Sequence, residues 1–82
     1  MIAFNVTVTE AHWKRGIPDD PLGCPAVCAL EEMFPSKGVI ITRLEVIIGK
    51  EHYPIQPDML AFIQMVDDGL KPNLPRTLKV GR

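Results

Sequence analysis

The sequence has little of what would announce a chemistry. It holds two cysteines, Cys24 and Cys28, too few for a disulfide framework. On one helix they would sit a turn apart with parallel Cα–Cβ directions, a geometry that suits a disulfide poorly. Reduced thiols in a reducing compartment are therefore expected. No block of one charge sign occurs. Nine basic and ten acidic residues are interspersed, for a formal net charge of -1. Sequence-independent nucleic-acid binding rests on a basic surface excess, so nucleic acid is not expected as a partner. No apolar run approaches the ~20 residues needed to cross a bilayer, so no membrane association is expected. The stretch Met1 to Thr9 alternates in polarity and shows no charged leader or apolar h-region, so no signal peptide is expected. Glycines Gly38 and Gly49 are single, and nothing resembles a phosphate-binding loop.

What is present fits one small domain. The 82 residues allow a single domain, 1–82, with a small core and marginal stability. Self-association as a homodimer is a common remedy for such a shortage of core. Hydrophobic residues make up 46% of the chain and charged residues 23%, which excludes a disordered composition.

Periodicity sets the elements. Ile2, Phe4, Val6 and Val8 alternate with Ala3, Asn5 and Thr7, so a strand opens the chain. Thr9 suits an N-cap, Glu10 a first helical turn and Gly16 a position just past a helix end, which predicts a short helix with Trp13 as its core anchor. Residues 16–23 form a Gly/Pro/Asp loop. Pro25 fits the first position of a second helix, with Cys24 as N-cap, Val27, Leu30 and Phe34 on the inner face, and Pro35 as the stop. The β-branched run from Gly38 to Ile48 reads as a strand to about Thr42, a break near Arg43 and a second strand from about Leu44. One long bent strand is the alternative. Gly49-Lys50 turns the chain into a partner strand, Glu51 to Ile55. Pro57 opens a third helix with Met59, Phe62, Ile63 and Val66 as its stripe, ended by Gly69. Thr77 to Val80 forms a last strand at a sheet edge, where Lys79 discourages further pairing.

The expected fold is α+β, a small, mainly antiparallel sheet with helices packed on one face, in the order β-α-α-β-β-β-α-β. Trp13, Val27, Leu30, Phe34, Leu44, Val46, Phe62, Ile63 and Val66 are its expected core. Met59 and Ile47 are expected to be apolar surplus, available to a two-fold interface.

Candidate sites are few. His12, Cys24, Cys28 and His52 are the soft metal ligands, but only the cysteines are closely spaced, so no metal site is expected. Cys24 at a helix N-terminus is a candidate reactive thiol, with His12 as a conceivable base; the orienting group and oxyanion hole of cysteine catalysis have no counterpart in the sequence, and no catalytic residue is assigned. Asp19 and Asp20 lie outside any calcium-loop motif and suit a solvated turn. The helix start at Cys24, Pro25 and Ala26 is a candidate anion site, with Asp19, Asp20 and His12 as neighbours; internal capping is the competing reading. No cofactor is expected.

The pattern Val8-Thr9, Gly16, Cys24-Pro25, Ala29-Leu30, Phe62-Ile63, Asp67, Gly69, Pro72 and Pro75 resembles a group of short phage and prophage proteins to which no activity is attached. That group often carries a further cysteine before Cys24, where this chain reads Asp20-Pro21-Leu22-Gly23. It also has an apolar residue at the position of Cys28, and an acidic and aromatic tail in place of Arg76-Thr77-Leu78-Lys79. The resemblance implies a viral accessory protein in the host cytoplasm. With no catalytic constellation, the expected function is non-enzymatic binding of a host protein, such as a component of an antiviral defence system. The alternatives are a binder or sponge for an anionic nucleotide-like molecule and a cysteine-dependent enzyme.

Overall fold

The computed structural model describes residues 3–16 and 24–81. The elements follow the expected order: β1 (Phe4–Val8), α1 (Glu10–Arg15), α2 (Pro25–Met33), β2 (Val39–Ile41), β3 (Glu45–Ile48), β4 (Glu51–Pro54), α3 (Pro57–Asp67) and β5 (Arg76–Val80). The strands divide into two antiparallel sheets. One is the ribbon β1-β5, with Val6 opposite Leu78; the other is β2-β3-β4. α2 packs across both β1 and β2, α1 lies on α2, and α3 packs beside β5.

Alternation along β1 buries Val6 and Val8 and leaves Asn5 and Thr7 exposed. Val46, Ile48, Val39, Ile41 and Tyr53 bury one face of the second sheet. Phe62, Leu30, Met59 and Leu78 are the largest fully buried side chains and belong to one buried cluster with residues of both sheets. α3 ends as its glycine requires. Gly69 has φ of 78°, Leu70 N–H donates to Met65 C=O at 2.8 Å, and Gly69 N–H donates to Val66 C=O at 3.1 Å. Those two bonds satisfy carbonyls that the helix end leaves open.

The β-branched run does break into two strands, and Thr42 is the reason. Its hydroxyl accepts the N–H groups of Leu44 and Glu45, each at 3.1 Å, while its own N–H donates to Glu45 C=O at 2.9 Å. That leaves Arg43-Leu44 as the hairpin loop. Leu44, expected in the core, is instead 82% exposed because it sits at the tip of this turn. Trp13 and Phe34 are also corrections. Both are partly buried and pack against the core from its margin. His12 takes the inward position on α1, and Phe34 caps the end of α2 and meets Phe4 edge-on at 5.5 Å. Met59 is not surplus; it is fully buried, and Ile47 is partly buried.

Gly16 differs from expectation in its reason. Its φ is -75°, an ordinary value. A Cβ there would lie 2.5 Å from the Pro25 ring, so glycine is needed for close approach of α1 to the start of α2. The last strand is also less open than expected. Lys79 N–H donates to Asp58 Oδ2 at 3.0 Å, Asp58 Oδ1 accepts Met59 N–H at 2.7 Å, and Gln56 Nε2 donates to Gly81 C=O. The start of α3 thus covers the outer side of β5.

Candidate functional site

The polar groups that could carry chemistry gather at the seam of α1 and α2. Thr9 caps α1 with extended backbone, φ -108° and ψ 174°. Three residues on, His12 fills the place usually taken by Glu or Gln in a capping box. Thr9 N–H donates to His12 Nδ1 at 2.9 Å, and Thr9 Oγ1 lies 3.1 Å from the same nitrogen. His12 Nε2 lies 3.0 Å from Glu32 Oε1, and Arg15 reaches Glu32 Oε2 at 2.5 Å. A backbone N–H at Nδ1 needs an acceptor there, so the proton sits on Nε2 and points to Glu32. His12 is only 5% exposed, and both of its ring nitrogens are spent on this network. Glu32, bonded first by His12 and then by Arg15, has its carboxyl held below the usual range.

Beside this network, Arg15, Cys28, Glu31, Glu32 and Pro35 line an open groove of about 330 Å³. Burial pushes the Cys28 thiol up, with Arg15 as the main opposing influence. Cys24 is buried at the N-cap of α2. The N–H groups of Val27 and Ala26 favour its thiolate, but burial outweighs them and its thiol is also pushed up. Neither cysteine is in a disulfide, and Cys28 N–H donates to Cys24 C=O at 3.1 Å within the helix. A nucleophilic cysteine needs a lowered thiol, so both positions are poorly prepared for attack.

The described part of the expected anion site is the start of α2. Cys24, Pro25 and Ala26 are all buried, Gly16 lies against the Pro25 ring, and the Cys24 thiol faces the N–H groups that an anion would use. His12 faces α2 through Glu32, further along that helix. Asp19 and Asp20 lie outside the described residues. His52 pairs with Glu45 at 2.9 Å on the outer face of the second sheet, apart from the cysteines in the fold. Among the described residues, no group of three or more His, Cys, Asp or Glu is placed to hold a metal ion.

Sequence reasoning did not single out Glu32 and Arg15, which are exposed but bonded to this network. The signal that existed was Thr9-x-x-His12, a capping box with histidine in the last position. The partner on α2 follows only from the packing of the two helices. Among the described residues no helix is long and apolar enough to cross a membrane. No protein-family model matches the sequence, and no curated protein or solved structure is similar to it.

Proposed function

We propose that this chain is a non-enzymatic viral accessory protein that binds a host protein in the host cytoplasm, with a component of an antiviral defence system as the partner class. The observation that carries the binding reading is an exposed apolar pair. Leu44 is 82% exposed and Leu70 is 56% exposed. The Arg43–Asp67 ion pair, at 3.5 Å, ties the turn that holds Leu44 to the end of α3 that precedes Leu70. Thr42 Oγ1 accepts the N–H groups of Leu44 and Glu45, and Leu44 C=O accepts Ile55 N–H at 3.1 Å, so the backbone of that turn is satisfied without the Leu44 side chain. Exposed leucines with charged neighbours in sequence, here Arg43 and Asp68, have the composition of a protein-binding surface.

The non-enzymatic part is supported by the engaged ring nitrogens of His12 and by the two thiols that burial pushes up. The host partner and the location come from the resemblance to short phage proteins. The reading includes a homodimer, which presents the leucine patch twice. The test is capture from bacterial lysate by the wild-type chain and by Leu44→Asp/Leu70→Asp, followed by rebuilding of the complex from the purified partner. A defence protein held by the wild type, released by the variant and rebound in purified form supports the reading. Equal capture by both chains contradicts it.

A further inference from the structure

We propose that the outer edge of β1 is the interface of a two-fold homodimer, in which β1 pairs antiparallel with β1 of a second copy about Val6. This rests on the homodimer part of the proposed function and names its surface.

The direction of the backbone groups along β1 follows from its partner strand. Asn5 stands opposite Lys79, and Thr7 opposite Thr77. Opposed residues in an antiparallel ladder alternate between pairs that exchange both backbone bonds and pairs that exchange neither. Lys79 turns its N–H away from β1, to Asp58. Asn5–Lys79 is therefore a pair that exchanges neither, and so is Thr7–Thr77 two residues along. The hydroxyls of Thr7 and Thr77, 3.1 Å apart, agree with the closer side-chain approach of such a pair. The N–H and C=O groups of Asn5 and Thr7 thus point to the outer side of β1. No other strand pairs with that side among the described residues.

The other strand edges are closed by identifiable means. Asp58 and Gln56 cover β5. β4 ends on Pro54, which has no N–H to offer, and carries exposed Glu51 and His52. On β2 the bonds Gly49 N–H to Gly38 C=O and Thr42 N–H to Glu45 C=O turn Val39 and Ile41 outward, and those residues are only 3% and 4% exposed. Among the described residues, β1 has none of these protections. Its residues, Phe-Asn-Val-Thr-Val, include no charge and no proline, and Asn5 and Thr7 are exposed. Such an edge is a template for another strand.

A second copy fits this template because Asn5 and Thr7 are placed symmetrically about Val6. With Val6 on the axis, Asn5 faces Thr7 of the second copy and Thr7 faces its Asn5, which gives about four backbone hydrogen bonds. The core-side residues stay on the core side, and partly buried Phe4 comes to lie beside Val8 of the second copy. Within a β5-β1-β1-β5 sheet no like charges meet at the new pairing, since the two central strands carry no charge and Lys79 lies on the outer strand.

Sedimentation of the full chain from low to high micromolar concentration tests this, with Asn5→Lys/Thr7→Lys as the variant. That variant sets lysines opposite one another across the axis at positions already exposed in the single chain. The expected result is the mass of two chains for the wild type and of one chain for the variant, with matching circular dichroism. If the variant loses its fold, Asn5→Pro replaces it, because the lost N–H points outward and not to β5. A wild type with the mass of one chain at every concentration overturns the dimer. A folded variant that keeps the mass of two chains overturns the β1 interface while leaving a homodimer in place.

Discussion

The two sides of the β1-β5 ribbon are finished differently. On the β5 side, Asp58 and Gln56 reach from the start of α3 and meet the outward N–H of Lys79 and C=O of Gly81. On the β1 side, Asn5 and Thr7 present the same kinds of groups with no charge and no proline in the strand. The two strands are equally long and pair over their whole length. What separates them is one helix start packed against one of them. A strand edge is therefore not fixed as open or closed by its own residues alone. It depends on which side chains the next element brings to it.

The change expected to disturb this contrast most is Phe62→Ala. Phe62 is fully buried on α3, the helix that holds the β5 side. Its loss combines lost burial with a cavity and should cost ~3–5 kcal/mol, which in a domain this small approaches the total stability. Thermal or urea unfolding measures it, and a melting change of a degree or two would show that α3 does not anchor the ribbon.

Gly16→Ala probes the other side, where α1 and α2 support β1. A Cβ there meets the Pro25 ring at 2.5 Å. The expected cost is ~1–3 kcal/mol, from overpacking at a site where both neighbours are backbone-bound. A melting temperature equal to that of the wild type would show that the two helices can part without penalty.

Asp58→Ala sharpens the contrast directly. It removes the acceptor for both Met59 N–H and Lys79 N–H and should cost ~1–2 kcal/mol. The β5 side then resembles the β1 side, so Lys79 N–H should exchange with solvent faster. Unchanged exchange at Lys79 would mean that Asp58 does not close that edge.

The pH dependence should be smaller. Glu32, bonded by His12 and then by Arg15, and Glu51, bonded by the Tyr53 hydroxyl, have carboxyls held below the usual range in the folded chain. Their contribution is present above the ordinary carboxylate range and is lost as pH falls through their folded values. Glu32→Gln should flatten that acid limb in urea titrations at stepped pH. Cys24 has the opposite sign. Its thiol is raised by burial, so the unfolded chain ionises first and stability should decline as pH climbs above the ordinary thiol range. Cys24→Ser should weaken that alkaline decline.

Much of the fold was legible because it rests on short periods and strong punctuation. Alternation from Phe4 to Val8, proline at the starts of α2 and α3, and Gly69 at the end of α3 all act within a few residues of one another. Leu44 was misplaced because the expected break ends near Arg43, with Leu44 opening the next strand; the Thr42 hydroxyl, which accepts the N–H groups of both Leu44 and Glu45, extends the turn by that one residue. The α1–α2 network was missed because Glu32 lies twenty residues from His12 in the sequence. The closing of β5 was missed for the same reason: Asp58 and Lys79 meet only after α3 has packed. Local chemistry is written in local residues, whereas edges and polar seams depend on which elements come together.

Residue-level amide hydrogen exchange over a range of protein concentrations tests the contrast most directly. The account predicts that Lys79 N–H is protected at every concentration, through Asp58. It predicts that the N–H groups of Asn5 and Thr7 exchange freely when the chain is dilute and slow together as concentration rises and β1 pairs with a second copy. Asn5 and Thr7 exchanging at one fast rate across all concentrations, or Lys79 exchanging as fast as they do, would contradict it.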